Sequence, residues 1–145
     1  MKKILVSVDF SDITNEIINR AVYLARQFDS ELWLIHVAPP NPDYLGFKSL
    51  NKNDRHQVAE GLCTEHKLLQ DQAHDLRKDG INASALLVQG PTAETILEEA
   101  AKLDADLIVL GSHGHGAIYK ALLGSVSEGV LRGANCPLLI VPVRS

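Results

Sequence analysis

Five short runs rich in Val, Ile and Leu alternate along this chain with segments whose apolar residues recur at helical spacing. Runs that are apolar on both faces are typical of strands covered on both sides, as in a parallel sheet. Strict alternation of strand and helix predicts an α/β fold, an open doubly wound sheet of five parallel strands with helices on both faces. The predicted strands are residues 3–9, 31–37, 81–90, 105–111 and 136–143.

The length of 145 residues fits a single domain, residues 1–145. Ser11 or Asp12 is expected to cap the first helix, because both are good N-cap residues. The segment 38–54 holds three of the six prolines and is expected to be a long surface loop. The predicted helices lie near residues 13–28, 55–78, 91–103 and 126–132.

Two strands carry signs of a position at the edge of the sheet. Asn82 and Ser84 alternate with apolar residues in the third strand, which indicates an edge. Pro142 interrupts the last strand, and such a proline is tolerated only at an edge or at a strand end.

Composition excludes several classes of function. The net charge is -4, with 14 basic and 18 acidic residues and no basic cluster, so a nucleic-acid partner is not indicated. No apolar stretch is long enough to cross a bilayer, so a membrane protein is not expected. Cys63 and Cys136 lack the C-x-x-C spacing and are expected to be free thiols in a reducing compartment, which predicts a cytoplasmic location.

The stretch GSHGHGAIYKALLGSVS, residues 111–127, follows the fourth predicted strand. In doubly wound sheets, ligands bind beyond the carboxyl ends of the strands. Glycines bring backbone N–H groups close to a ligand, and a helix that starts near Gly124 and Ser125 would add further N–H donors and two serine hydroxyls. The stretch therefore predicts a phosphate site, although a plain turn would account for one or two of the glycines.

Two familiar phosphate motifs do not fit this stretch. Gly111 and Gly116 have the glycine spacing of a Walker A loop, but Ala117 and Ile118 replace its lysine and hydroxyl residue. The dinucleotide fingerprint also fails, because Tyr119 stands at its third glycine.

The histidines of the chain raise the question of a metal site. His113 and His115 alone fall short of a zinc ligand set, so no metal ligands are assigned, and these side chains are expected to face phosphate or solvent. His36 lies in a predicted strand and is assigned no role.

The glycine stretch resembles the signature G-x-x-G-x9-G-[ST] of the ATP-binding subgroup of the universal stress protein family, read here as Gly111, Gly114, Gly124 and Ser125. The similarity extends over the chain, through ILVSVDFSD, IHV, QGPTAETILEEA, ADLIVLGSHGHG and LLGSVSEGVLRGANCPLLIVPV. It implies the adenine nucleotide α-hydrolase-like version of the fold, ATP as ligand, and a homodimer joined through the last strand, Leu138 to Val143. Mg²⁺ is expected with the ATP, because several N–H groups, two serines and a bound Mg²⁺ would suffice to bind the phosphates in the absence of a P-loop lysine.

The resemblance also implies a set of binding residues. Near the adenine and ribose these are Asp9, Phe10 and Val37; around the phosphates they are Gly111, Ser112, His113, Gly114, His115, Gly124, Ser125, Val126 and Ser127. From the residues alone, Asp9 has two interpretations, a cap for the first helix or a contact to nucleotide or Mg²⁺-bound water, and its place at a strand end favours the second.

Three classes of function stay open at this stage. The first is a nucleotide-dependent regulator in a stress response, with an unidentified regulated partner. The second is a slow ATPase or autophosphorylating enzyme; only Asp9 and the turn histidines offer a base for hydrolysis, and no arginine finger is evident, so no catalytic residue is assigned. The third is a module of similar topology for flavin or AMP, or a structural dimer with an empty pocket.

Overall fold

The computed structural model describes residues 1–39, 52–114 and 122–143, with backbone alone for residues 52–62. Strands and helices alternate through the described chain as the sequence predicts. The strands are β1 Lys3–Ser7, β2 Glu31–Ala38, β3 Ala83–Gln89, β4 Leu107–Gly111 and β5 Leu138–Val141. The helices are α1 Thr14–Phe28, α2 Lys52–Lys78, α3 Thr92–Leu103 and α4 Ser125–Gly133.

The five strands form one parallel sheet in the order β3-β2-β1-β4-β5. The predicted fold class is thereby confirmed, and so are the edge positions of β3 and β5. The chain runs from β1 outward through β2 to β3, then crosses back to β4 on the other side of β1 and continues to β5. This arrangement creates a switch point at the carboxyl ends of β1 and β4.

Helices cover both faces of the sheet. Ile17 of α1 and Leu69 of α2 pack on one face, while Ile96 of α3 and Val130 of α4 pack on the other. The middle strand supplies Ile4 and Val6 to the first core and Leu5 to the second, and all three are fully buried. Each such side chain contributes roughly 1.5–3 kcal/mol of transfer free energy, so the strand ends are held on a rigid base.

Local boundaries differ from the sequence prediction at two places. Neither Ser11 nor Asp12 caps α1, because Ile13 is the N-cap residue and no side-chain capping hydrogen bond is present. The predicted loop 38–54 is too long at both ends, since β2 includes Ala38 and α2 begins at Lys52. The first apolar residue in the periodic pattern of α2 is Val58, so hydrophobic spacing does not indicate that the helix already begins at Lys52. The rest of that loop lies outside the described residues.

Within the described part of the chain, no helix combines the length and apolar character needed to cross a membrane.

Asp106 ties the beginning of β1 to the beginning of β4. Its Oδ2 accepts hydrogen bonds from the backbone N–H groups of Lys2 at 2.7 Å and Lys3 at 3.0 Å. These two bonds hold the pKa of Asp106 below its ordinary value of 3.8, because they favour the charged carboxylate. The carboxylate therefore stabilises the fold above the ordinary pKa, and this contribution is lost as the pH falls through the lower pKa of the folded state.

Asp106→Asn is expected to lower the melting temperature at neutral pH and to make it less sensitive to acid. The difference from the parent protein should shrink as the pH falls below 3.8, as measured by circular dichroism melts across an acid series. Asp71→Asn, a change of the same chemistry at an exposed position on α2, serves as the control. An acid response of Asp106→Asn equal to that of the parent would contradict this role of Asp106.

Candidate functional site

The carboxyl ends of β1, β2 and β4 surround a cavity of about 670 Å³. This is the position at which doubly wound sheets bind ligands, and the volume lies in the range of small-molecule sites. Nine of the twelve sequence-predicted site residues line it: Asp9, Phe10, Val37, Gly111, His113, Gly114, Ser125, Val126 and Ser127. Ser112 and Gly124 lie behind the wall of the cavity, and His115 falls outside the described residues.

The first turn of α4 lies directly against the turn that follows β4. The backbone N–H of Gly124 donates to the carbonyl of Ser112 at 2.7 Å. A Cβ at position 124 would lie 3.1 Å from the Cα of His113 and 3.4 Å from the carbonyl oxygen of Ser112, both of which belong to the backbone. Glycine at this position therefore lets two segments that are distant in sequence form one edge of the cavity.

The N-terminus of α4 presents backbone donors at this edge. The first backbone hydrogen bond within α4 runs from the N–H of Glu128 to the carbonyl of Gly124. The N–H groups of Ser125, Val126 and Ser127 therefore have no acceptor within the helix. The N-cap Gly124 brings no side chain to satisfy them. Such an end carries a partial positive charge and favours an anion.

The two serines of this helix start have different roles. The Ser127 hydroxyl is buried and donates to the carbonyl of Ser112 at 2.6 Å, with the carbonyl of Gly124 at 3.0 Å. A hydroxyl has a single hydrogen to donate, so Ser127 fastens the turn, and the expectation that it offers a donor to phosphate is wrong for this conformation. Ser125 is exposed and lines the cavity.

The turn that follows β4, residues 111–114, is called the glycine turn below. Ser112 connects it to the last strand. Its backbone N–H donates to the carbonyl of Val141 at 2.9 Å, and its Oγ accepts from the N–H of Val143 at 2.8 Å. The same Oγ lies 3.0 Å from Nδ1 of His113, a residue that is itself buried and lines the cavity. Of the two predicted orientations for His113, the one toward solvent is therefore wrong.

Asp9 reaches from the end of β1 toward the glycine turn. Its Oδ1 accepts from the backbone N–H of Ser11 at 3.0 Å and from the Thr14 hydroxyl at 3.4 Å. A Cβ placed on Gly114 would have Oδ2 of Asp9 as its nearest neighbour, at 3.8 Å. One carboxylate oxygen thus fixes the turn before α1, and the other lies on the side of the glycine turn.

Gly111 owes its identity to packing. A Cβ there would lie 3.2 Å from the side chains of both Ile17 and Val143, so a larger residue requires the ends of these side chains to shift. Gly111 and Gly114 both line the cavity, but only Gly111 is also closely surrounded by side chains of other elements.

Sequence reasoning missed a group of side chains at the β2 side of the cavity. The rings of Phe10 and His36 lie with their centroids 4.6 Å apart, and Glu65 of α2 approaches the same imidazole. Phe10 has a φ of 59°, which is unusual for a bulky residue and costs on the order of 1–3 kcal/mol. His36 had a usable signal, since it lies beside Val37 at a strand end. Glu65 had one as well, since it lies four residues before Leu69 on the apolar stripe of α2, the face expected to pack on the sheet.

No group of three or more His, Cys, Asp or Glu side chains is arranged to hold a metal ion in the ranges 1–39, 63–114 and 122–143. Mg²⁺ needs no such group, because it is commonly bound by one or two carboxylates together with substrate phosphates and water. Asp9 is a carboxylate in the right place for that mode of binding.

Comparison with known proteins gives a consistent result. Residues 1–142 match the profile of the universal stress protein family. A universal stress protein of Thermus aquaticus is 36% identical over 143 residues, which cover 97% of this chain and 98% of the relative. The solved structure of the protein MJ0577 has a TM-score of 0.81 and 28% identity, over 99% of this chain and 97% of that one. A universal stress protein solved in complex with cAMP has a TM-score of 0.71 and 23% identity, over 97% and 96% of the two chains.

Proposed function

This chain belongs to the universal stress protein family, and we propose that it is an ATP-binding regulatory protein of the stress response. The observation that carries the proposal is the junction of Gly124 with Ser112, which brings the glycine turn and the N-terminus of α4 to one cavity. Bound nucleotide would alter these two segments and thereby the surface offered to a regulated protein. The similar fold that holds cAMP in a relative supports an adenine nucleotide as the ligand.

The energetics are compatible with binding in the absence of a P-loop lysine. A micromolar dissociation constant corresponds to about -8 kcal/mol. Hydrogen bonds to charged groups contribute roughly 1.5–3 kcal/mol each before ordering costs. The three N–H groups at the start of α4, the Ser125 hydroxyl and an adenine packed against Phe10 and Val37 therefore reach the required magnitude.

Magnesium belongs to the proposal as a companion of the phosphates. Asp9 would hold it, directly or through water, together with the phosphate oxygens. The ion would supply positive charge at the phosphate end of the cavity, where no lysine or arginine is among the described lining residues.

The decisive experiment identifies the small molecule that copurifies with the protein. Protein purified at low temperature is denatured, and the released compounds are analysed by mass spectrometry, with ATP expected. Added ATP with Mg²⁺ is also expected to raise the melting temperature, since a ligand that binds only the folded state stabilises it. Absence of both results would refute ATP binding, whereas steady release of ADP that stops on Gly114→Ala would replace the purely regulatory function with an ATPase.

We further propose a homodimer that pairs through β5 and the residues beside it, Leu138 to Val143. In the described sheet β5 pairs only with β4 and so presents an open edge. The Pro137 carbonyl accepts from Ile108 of β4 and the Val141 carbonyl from Ser112 directly after β4, which leaves the backbone groups of Leu138 and Ile140 on the outer side. An open apolar edge of this kind is a template for pairing with a second chain.

Ile140→Lys is expected to convert the dimer to a monomer, because a lysine on an edge strand opposes edge-to-edge pairing. Multi-angle light scattering should show the mass fall by half, and a melt recorded in parallel shows whether the monomer stays folded. Leu131→Lys, at a position on α4 that is 52% exposed, is the control. A dimer that survives Ile140→Lys would refute pairing through β5.

A cytoplasmic location completes the proposal. Cys63 is an exposed free thiol, and such thiols persist in the reducing cytoplasm.

A further inference from the structure

The cavity has two chemically different ends. At the β4 end lie the glycine turn and the N-terminal donors of α4. At the β2 end lie His36 and Glu65, and β1 separates the two ends. Two strand spacings amount to about 10 Å, which is the scale of a nucleoside. A nucleotide with its phosphates at α4 therefore extends its base toward Glu65.

His36 is fixed at this end by its surroundings. Its side chain is 10% exposed, and Nδ1 lies 2.7 Å from the carbonyl oxygen of Val8. A carbonyl only accepts, so Nδ1 carries the hydrogen, and the ring then presents Nε2 toward α2. Nε2 is buried, and no described residue makes a hydrogen bond of good geometry with it. Its neighbour is Oε2 of Glu65, at 3.3 Å, and this contact is an ion pair when Nε2 carries a second hydrogen and the ring is an imidazolium, because an unprotonated Nε2 and a carboxylate oxygen are both acceptors.

Glu65 is held by this contact and still reaches the cavity. Its side chain is 36% exposed and lines the cavity wall beside the Phe10 and His36 rings. Among the described side chains His36 is its one polar contact, so Oε1 is available to a ligand. An ionised carboxylate only accepts hydrogen bonds, so it favours a ligand that presents N–H donors at this point.

We propose that Glu65, positioned by His36, accepts a hydrogen bond from the exocyclic amino group of the purine and so selects a 6-aminopurine nucleotide over its 6-oxo counterpart. This inference rests on the proposed function, since it requires a nucleotide in the cavity. The 6-oxo base places an acceptor where the carboxylate lies, and two acceptors repel each other. Glu65 would thus determine specificity, and His36 would act as a positioning residue.

The test compares the dissociation constants of ATP and inosine triphosphate, which differ at position 6 of the base. The parent protein is expected to prefer ATP by about tenfold or more, as for a hydrogen bond to a charged group. Glu65→Gln should reduce the preference to within about threefold, because an amide can donate to a 6-oxo group as well as accept. Asp71→Asn, which removes a charge from an exposed position of the same helix, should keep the parent preference.

His36→Asn tests the positioning role. The asparagine amide can still donate to the Val8 carbonyl, while the nitrogen that faces Glu65 is lost. The ratio of the two dissociation constants should fall in the same direction as in Glu65→Gln. A uniform weakening of both nucleotides with an unchanged ratio would show a merely structural role and overturn the positioning proposal.

The outcomes separate this inference from the function on which it rests. If the parent binds neither nucleotide, the proposed function itself fails. If the parent binds ATP and Glu65→Gln keeps the full preference over inosine triphosphate, only the inference about Glu65 is refuted. If Glu65→Gln changes only the ratio of the dissociation constants of ATP and 2′-deoxy-ATP, Glu65 contacts the ribose. That result would likewise refute recognition of the base by Glu65.

Discussion

Gly114→Asp is expected to weaken ATP binding at least a hundredfold while the sheet stays folded. Gly114 lines the cavity, and the nearest neighbour of an added Cβ is Oδ2 of Asp9 at 3.8 Å, so the side chain has room. The new carboxylate would face both the phosphates and Asp9. Two unit charges about 4 Å apart repel by about 4 kcal/mol at an effective dielectric constant near 20, which exceeds the roughly 2.7 kcal/mol that a hundredfold change requires.

Gly114→Asn is the matched control, because asparagine has nearly the same shape and no charge. Calorimetric titration with ATP and Mg²⁺ should show a much smaller loss for Asn than for Asp. Circular dichroism should show both variants folded at the temperature of the titration, with the lower melting temperature in the Asp variant because its carboxylate also faces Asp9. Equal affinities for ATP in the Asp and Asn variants would show that the phosphates do not bind at the glycine turn.

The fold could be predicted because its signals are local. The runs around Ile4, Leu34 and Val109 are apolar on both faces, which only a strand between two helical layers requires. The partial alternation around Ser84 indicated the edge position that β3 occupies. The cap of α1 was the failure: Ile13 is the N-cap residue, and the Asp9 carboxylate closes the preceding turn in place of Ser11 or Asp12.

The candidate site could be predicted only in part, because several of its contacts join segments that are distant in sequence. The glycine and serine pattern correctly indicates that Gly114 and Ser125 face one cavity. It does not show that the Ser127 hydroxyl is engaged by the Ser112 carbonyl, a contact across 15 residues. Glu65 lies on the apolar stripe of α2, four residues before Leu69, but spacing alone does not show that its carboxylate meets His36 of β2. The spacing of glycines and serines thus predicts which backbone segments face a ligand. It does not predict which side chains come together at the β2 end of the cavity.

Gly124→Val is expected to lower the free energy of unfolding by about 3 kcal/mol and to abolish measurable ATP binding. The added atoms would meet the His113 Cα at 3.1 Å and the Ser112 carbonyl at 3.4 Å, and backbone of this kind cannot rotate away as a side chain can. Overpacking typically costs 1–3 kcal/mol, and a β-branched residue at a contact with backbone lies near the upper limit. To avoid this overlap, α4 has to move away from the turn after β4, which breaks the 2.7 Å hydrogen bond from Gly124 to Ser112. The glycine turn and the N-terminus of α4, which are proposed to bind the phosphates together, are then separated.

Gly124→Ala should give a smaller form of the same effect, since its single methyl group makes the approaches to His113 and Ser112 and adds no further atoms. Urea unfolding should give a loss of about 1 kcal/mol for Ala, between the parent and Val. The affinity for ATP should fall in the same order, because the distance between the helix start and the glycine turn governs both quantities. Ser125→Ala separates the two effects: it removes an exposed hydroxyl at the cavity and should reduce affinity with little change in stability. Full ATP affinity in a destabilised Gly124→Val protein would mean that the junction supports the fold and has no part in binding.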